Sequence, residues 1–162
     1  MYHSSTDADT KRWIMEDFTK CDSTIKVLVC TVAFGMGVSI SDTEIVIHWG
    51  APKSILAYWQ EIGRSGRSGQ YSYAIMYPYK HSLISNMATE EIKTLSKSSE
   101  CLRKYALTKL VTKKMKGELP SSENCVTNNC QICACAACSC CSFCYKLCQC
   151  KGKLDAWSKL LL

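Results

Sequence analysis

Apolar residues recur along the first half of the chain in two rhythms. Trp13, Ile14 and Phe18 sit at helical spacing behind Thr6 and Asp7, either of which can cap a helix. Ile25 to Cys30 is instead a short, β-branched and nearly continuous apolar run, which predicts a strand buried on both faces of a parallel sheet. Ile45 to His48 and Tyr71 to Tyr77 predict two further strands. Between them Pro52 can supply the first helical position, where its missing N–H costs nothing. Ile55, Tyr58, Trp59 and Ile62 then fall on one stripe of that helix. At about 100° per residue, Gln60, Arg64 and Arg67 gather on the opposite side. Strands alternating with helices predict an α/β layer, with functional residues in loops that leave the strands. From about His81 to Lys116 the pattern turns polar and helical. Ile84, Met87, Ile92 and Leu95 mark one amphipathic run; Leu102, Tyr105, Ala106, Leu107 and Leu110 mark another.

The chemistry concentrates in Tyr58-Trp59-Gln60-Glu61-Ile62-Gly63-Arg64-Ser65-Gly66-Arg67-Ser68-Gly69. Two guanidinium groups three residues apart suit an anion with several oxygens, because arginine stays charged and presents a planar fork of donors. The plainer alternative is a solvated basic helix end that complements the macrodipole. Glycines at 63, 66 and 69 cost roughly 1 kcal/mol each inside a helix, and allow close approach of the backbone in return. Gly35 and Gly37, in the loop after Val29, have the same freedom. Lys109, Lys113, Lys114 and Lys116 cluster at the end of the last amphipathic run, as a solvated face or a contact for a nucleic-acid backbone.

Composition narrows this picture only modestly. A net charge of +6 over 162 residues permits a nucleic-acid partner without requiring one. Met1 to Asp17 has no signal-peptide pattern, and no run approaches the roughly 18 apolar residues that span a membrane. The 13 cysteines then read as thiolate ligands or reduced thiols, not as a disulfide framework.

Tyr58 to Gly69 resembles the sixth conserved motif of superfamily-two helicases in the form typical of RecQ-type DNA helicases. Val29-Cys30-Thr31-Val32-Ala33-Phe34-Gly35-Met36-Gly37-Val38 resembles that family's fifth motif, and Ile45 to His48 with Pro52 to Ile55 fills the interval in the family's manner. Tyr2-His3-Ser4 is similar to the end of the first strand of the family's second RecA-like lobe. The resemblance implies an α/β, parallel-sheet RecA-like lobe, incomplete at its N-terminus, over residues 1–80. Arg67 and Arg64, with Gln60, would serve catalysis from across a cleft. Gly37, Gly63, Gly66 and Ser39 would lie at the nucleotide, and Thr31, Phe34 and Gly35 at the nucleic acid. Ser39 and Ser68 stand where the family usually has Asp, a departure that bears on nucleotide coupling.

No G-x-x-x-x-G-K-[ST] loop and no Asp-Glu-x-His box occurs in the chain. In the family both belong to a first lobe, expected before Met1, which holds ATP and Mg2+. Cys101-Leu102-Arg103-Lys104 resembles the opening of the family's helical zinc module, and Asn124 to Cys133 its closing segment. The resemblance thus implies Zn2+ on Cys101, Cys125, Cys130 and Cys133, within a module over residues 81–134. Cys130-x-x-Cys133 has the spacing that lets two thiolates share one ion. The resemblance stops there. Residues 135–162 hold Cys135, Cys138, Cys140, Cys141, Cys144, Cys148 and Cys150 with few core-forming residues. A poorly structured metal-binding tail, a mistaken reading frame or an aberrant splice product would each give that composition.

The expected protein is therefore part of an ATP-dependent 3′-to-5′ DNA helicase of replication, recombination and repair, inactive alone. Its implied partners are single-stranded and branched DNA and the first RecA-like lobe, with no membrane, in the nucleus. Two other classes remain: a non-enzymatic module that binds nucleic acid or a helicase subunit, and a cysteine-rich zinc binder.

Overall fold

The β-branched run Ile45–Trp49 forms a strand, β1, and Tyr73–Tyr77 forms a second, β2. They pair in parallel, with Ile45 opposite Tyr73 and Trp49 opposite Tyr77. Parallel neighbours need a crossover, and the helix between these two supplies it. The computed structural model describes residues 1–31, 43–67, 69–70, 72–112 and 140–147. The chain divides into two compact units, Met1–Met87 and Ala88–Leu162.

In the first unit, helix α1 (Ala8–Phe18) starts at Asp7, whose carboxylate accepts a hydrogen bond from Thr10 N at 2.8 Å. Its apolar stripe buries Ile14, while Trp13 stays exposed. The helix exit is tied by Asp17, whose Oδ2 accepts from the Ser23 and Thr24 hydroxyls, both at 3.1 Å, and from Ile25 N at 3.4 Å. Partial burial pushes Asp17 upward, but the hydrogen bonds from Ser23, Thr24 and Ile25, with Lys20 nearby, together hold its carboxyl below the ordinary value.

The run Ile25 to Cys30 departs from expectation. Among the described residues it forms no continuous ladder; the one bridge recorded there is parallel, between Tyr2 and Cys30, made by Tyr2 N to Val29 O and Thr31 N to Tyr2 O. Val27 is 80% exposed and Val29 60%, so the segment is not buried on both faces among the described residues. A continuous apolar run marks a segment that gains from burial, but only a neighbouring strand on each side can complete a ladder, and here one residue of Tyr2-His3 does so.

After β1, Gly50 carries φ +109° and donates its N–H to Tyr77 O at 3.0 Å, which extends the β1–β2 pairing past the strand end. A Cβ there would meet the Tyr79 ring at 3.1 Å. Helix α2 is Ile55–Ile62, capped by Ser54, whose hydroxyl accepts from Ala57 N at 3.2 Å. Pro52 is thus not the first helical residue; it is buried two places ahead of the cap. Serine prevails because its oxygen can satisfy one of the amides that the first turn leaves without a partner. The helix also ends sooner than the periodicity predicts. Gly63 is its C-cap, so Arg64 and Arg67 lie beyond the helix, not on its polar face.

A short 3-10 turn, Lys80–Leu83, follows β2. The expected amphipathic run from Ile84 to Leu95 is interrupted: Ile84 and Met87 are exposed, and helix α3 (Glu90–Ser96) begins only after Thr89. In the second unit α3 packs against helix α4 (Leu102–Leu110). Ile92, Leu95, Ala88 and Ala106 are the buried apolar side chains of that small core. Helix α5 (Ser142–Leu147) contributes a buried Cys144. No helix among the described residues is long and apolar enough to cross a membrane.

Candidate functional site

The turn that leaves α2 is built by hydrogen bonds from successive amides. Arg64 N donates to Glu61 O and Ser65 N to Ile62 O, and the Ser65 hydroxyl donates to the same Ile62 carbonyl at 2.8 Å. Gly66 then takes φ +67°, and its N–H donates to Thr43 O at 3.2 Å, pinning the turn to the segment that enters β1. Gly66 has to be glycine on two counts. A side chain is strained at that φ, and a Cβ would lie 2.6 Å from Ser72 Oγ and 3.1 Å from Gln70 O. The arginines on either side of it therefore leave a fixed turn.

They differ in setting. Arg64 is half-buried, whereas Arg67 is exposed and turns its Nε back to Gly63 O at 3.2 Å. That contact places a cation on the carbonyl end of α2, where the helix dipole favours it. Gln60 is exposed in the last turn of the same helix. The structure thus brings Gln60, Gly63, Arg64, Gly66 and Arg67 to one end of α2.

Beneath them, His48 of β1 meets Glu61 of α2, with Nε2 and Oε2 2.6 Å apart and both side chains largely buried. The His48 ring also stands 5.5 Å from the Tyr58 ring, and its Nδ1 is buried with no hydrogen-bond partner among the described residues. Cys30 belongs to the same neighbourhood. Burial of its inner side pushes the thiol up, the Arg64 charge opposes this, and Glu61 adds to it. Thr31, exposed, follows directly and is held through its amide to Tyr2 O. Cys30 thus lies within electrostatic reach of Glu61 and Arg64 at the end of α2. The His48–Glu61 pair was not singled out in the sequence, though a histidine closing one strand and a glutamate in the helix that packs over it were the available signal. Phe34, Gly35, Gly37 and Ser39 lie outside the described residues.

The second unit holds a separate cluster. Cys101, Cys140, Cys141 and Cys144 bring their sulfurs within 4.8 Å of one another, and Cys101 Sγ lies 3.5 Å from Cys140 Sγ. Cys101 is also the N-cap of α4, its sulfur accepting from Lys104 N at 3.4 Å. Burial, and then the neighbouring sulfurs, push the Cys140 thiol well up. No disulfide joins the described cysteines. Cys125, Cys130 and Cys133 lie outside the described residues. Sequence reasoning assigned Cys140, Cys141 and Cys144 to a tail; their signal was the Cys141-Ser-Phe-Cys144 spacing at the start of a helix.

Comparison with known proteins agrees with the first unit. Residues 1–69 match the family described as the helicase conserved C-terminal domain. The ATP-dependent DNA helicase Q-like 5 of Arabidopsis thaliana is 39% identical over 111 residues, 68% of this chain and 11% of that protein. The ATP-dependent helicase SGS1 of Saccharomyces cerevisiae is 41% identical over 76 residues, 47% of this chain and 5% of that protein. The ATP-dependent DNA helicase RecQ of Haemophilus influenzae is 27% identical over 149 residues, 82% of this chain and 22% of that protein. The parallel strand–helix–strand unit, with the arginine turn at its helix end, fits the α/β RecA-like lobe of a superfamily-two helicase. Within that class the chain's similarity is to the RecQ-type helicases, at their C-terminal helicase region. It spans about a tenth of the length of the Arabidopsis relative and about a fifth of the Haemophilus one.

Proposed function

We propose that this chain provides the second RecA-like lobe of an ATP-dependent DNA helicase. In this reading Arg64 and Arg67 face, across a cleft, the phosphates of ATP held with Mg2+ by a first lobe that carries a P-loop and an Asp-Glu-x-His box. ATP supplies the phosphoryl-transfer chemistry. The chain's own part is positional and electrostatic: two permanent cations and the Gln60 amide are set where negative charge develops. Gly63 and Gly66 allow the backbone to come close to the nucleotide, and the family resemblance assigns Gly37 and Ser39 of the preceding motif to the same ligand. Thr31, Phe34 and Gly35 meet the DNA backbone. Coupling between the two runs from Thr31 through Cys30 to Arg64, and its product is 3′-to-5′ movement and strand separation on single-stranded and branched DNA. Replication, recombination and repair in the nucleus are the matching setting. Cys101 anchors a zinc module, for which the family resemblance names Cys125, Cys130 and Cys133 as its companions.

The observation that carries the proposal is the Gly66–Thr43 hydrogen bond, which fixes both arginines beyond the end of α2 on a rigid turn. A second reading has its own observation: Arg67 Nε on Gly63 O is also what a helix-end cation does in a plain binding module. One experiment separates them. The chain is joined to the first lobe of a related helicase and Arg67→Ala is introduced. Turnover is expected to fall at least about a hundredfold, as for loss of a transition-state contact, with smaller changes in ATP and DNA affinity. A variant that keeps its turnover but binds DNA less well makes Arg67 a backbone clamp. One that only melts earlier makes it a helix cap.

A further inference from the structure

We infer that Cys101, Cys140, Cys141 and Cys144 form a four-thiolate site for a single thiophilic cation, Zn2+, joining α5 to the start of α4. The inference rests on the zinc reading of Cys101 and replaces the other three ligands. Four sulfurs at about 2.3 Å from a tetrahedral ion lie roughly 3.8 Å from one another. Here the four sulfurs fall within 4.8 Å, and the Cys101–Cys140 pair is at 3.5 Å, so small side-chain rotations close the tetrahedron. Cys144 is buried, and the other three are half-buried, which suits a closed structural site with no open position.

The surroundings suit the charge. Four thiolates on one Zn2+ carry a net charge of −2, and the Lys104 amide already donates to Cys101 Sγ. Arg103 and Lys104 on α4 and Lys146 on α5 add positive charge to the two elements that supply the sulfurs. The local fold supplies a reason as well. Cys141 ends just before α5 and Cys144 lies within it, so one C-x-x-C reaches the ion from a helix start, while Cys101 arrives from the cap of another helix. Without a shared ligand, little would order that arrangement. Among the described residues α5 fully buries only Cys144 and half-buries Phe143 and Tyr145, a small apolar surface on which to dock a six-residue helix.

The test uses the whole chain, purified under reducing conditions and loaded with Zn2+, and maps which cysteines the ion shields from an alkylating reagent. Cys101, Cys140, Cys141 and Cys144 are expected to react at least about tenfold more slowly with zinc bound than after a chelator removes it. Co2+ loaded in place of zinc should show the ligand-field bands of a tetrahedral thiolate site. A Cys140→Ser, Cys144→Ser double variant should lose those bands, while Cys130→Ser, Cys133→Ser keeps them. Shielding of Cys101 with Cys125, Cys130 and Cys133 would overturn the ligand set but leave the zinc reading standing. Shielding spread over all the cysteines beyond residue 120 would overturn the single site in favour of a cluster. A chain that takes up no zinc under these conditions would remove the zinc reading and this inference with it. The shielding map needs no variant, so a double variant that fails to fold does not blunt the test.

Discussion

Gly66 concentrates two demands on one residue: a left-handed backbone, and a Cβ position occupied by Ser72 Oγ. Gly69, also left-handed at φ +83°, meets nothing within 4 Å. The pair forms a controlled comparison. Gly69→Ala is expected to cost about 1 kcal/mol, for backbone strain alone. Gly66→Ala should cost roughly 2–4 kcal/mol, because strain, displacement of Ser72 and loss of the tie to Thr43 act together. Urea unfolding of both variants checks this, and equal costs would mean that the turn yields without disturbing Ser72. The identity of the arginine motif was legible in the sequence, since its chemistry lies in residue types at fixed spacing. Its geometry was not. Periodicity carries Arg64 onward along a helix, whereas the chain leaves helical pairing at Gly63 and turns, through a left-handed Gly66, onto Thr43 O. Likewise Pro52 and Ser54 are both helix-start signals, and only the reach of a hydroxyl to Ala57 N chooses between them.

Helix α1 is held at both ends by carboxylates. Asp7 is lowered by its backbone hydrogen bond with Thr10, and Asp17 is lowered despite partial burial by Ser23, Thr24 and Ile25. A carboxylate held below its unfolded value adds stability that is present above that value and lost as pH falls through the folded one. Both groups start from an ordinary value of 3.8, so the first unit should weaken as pH drops below about that point. Asp17→Asn should flatten this acid limb while costing stability at neutral pH. Thermal unfolding across that range is the measurement, and an unchanged slope would show that the exit turn is not what the acid undoes. At this scale the sequence succeeded where a segment's neighbours lie within a few residues of it. α1, β1, β2 and α4 depend on local caps and a short crossover. It failed at Ile25 to Cys30 and at Ile84 to Met87, whose apolar residues mark surface that needs a partner without saying whether one is in reach.

Across the whole molecule, the first unit presents arginines without a phosphate-cradling loop, and the second gathers sulfurs from opposite ends of a long intervening segment. The first fact sets an expectation for the chain by itself: no DNA-stimulated phosphate release above a vector-only preparation, since the given sequence has no P-loop to cradle the β- and γ-phosphates. Release that persisted through purification and disappeared with Arg67→Ala would contradict it. The second fact has an entropic side. Cys101 and Cys140 touch across 39 positions of chain, and closing a loop of that length costs roughly 3 kcal/mol before any contact offsets it. A bare pair of thiols does not return that much. An ion held at the junction does, by an amount that grows with the logarithm of its free concentration. On the four-thiolate proposal, the fraction of molecules with α5 seated becomes a readout of the surrounding zinc supply, rising and falling as the metal does.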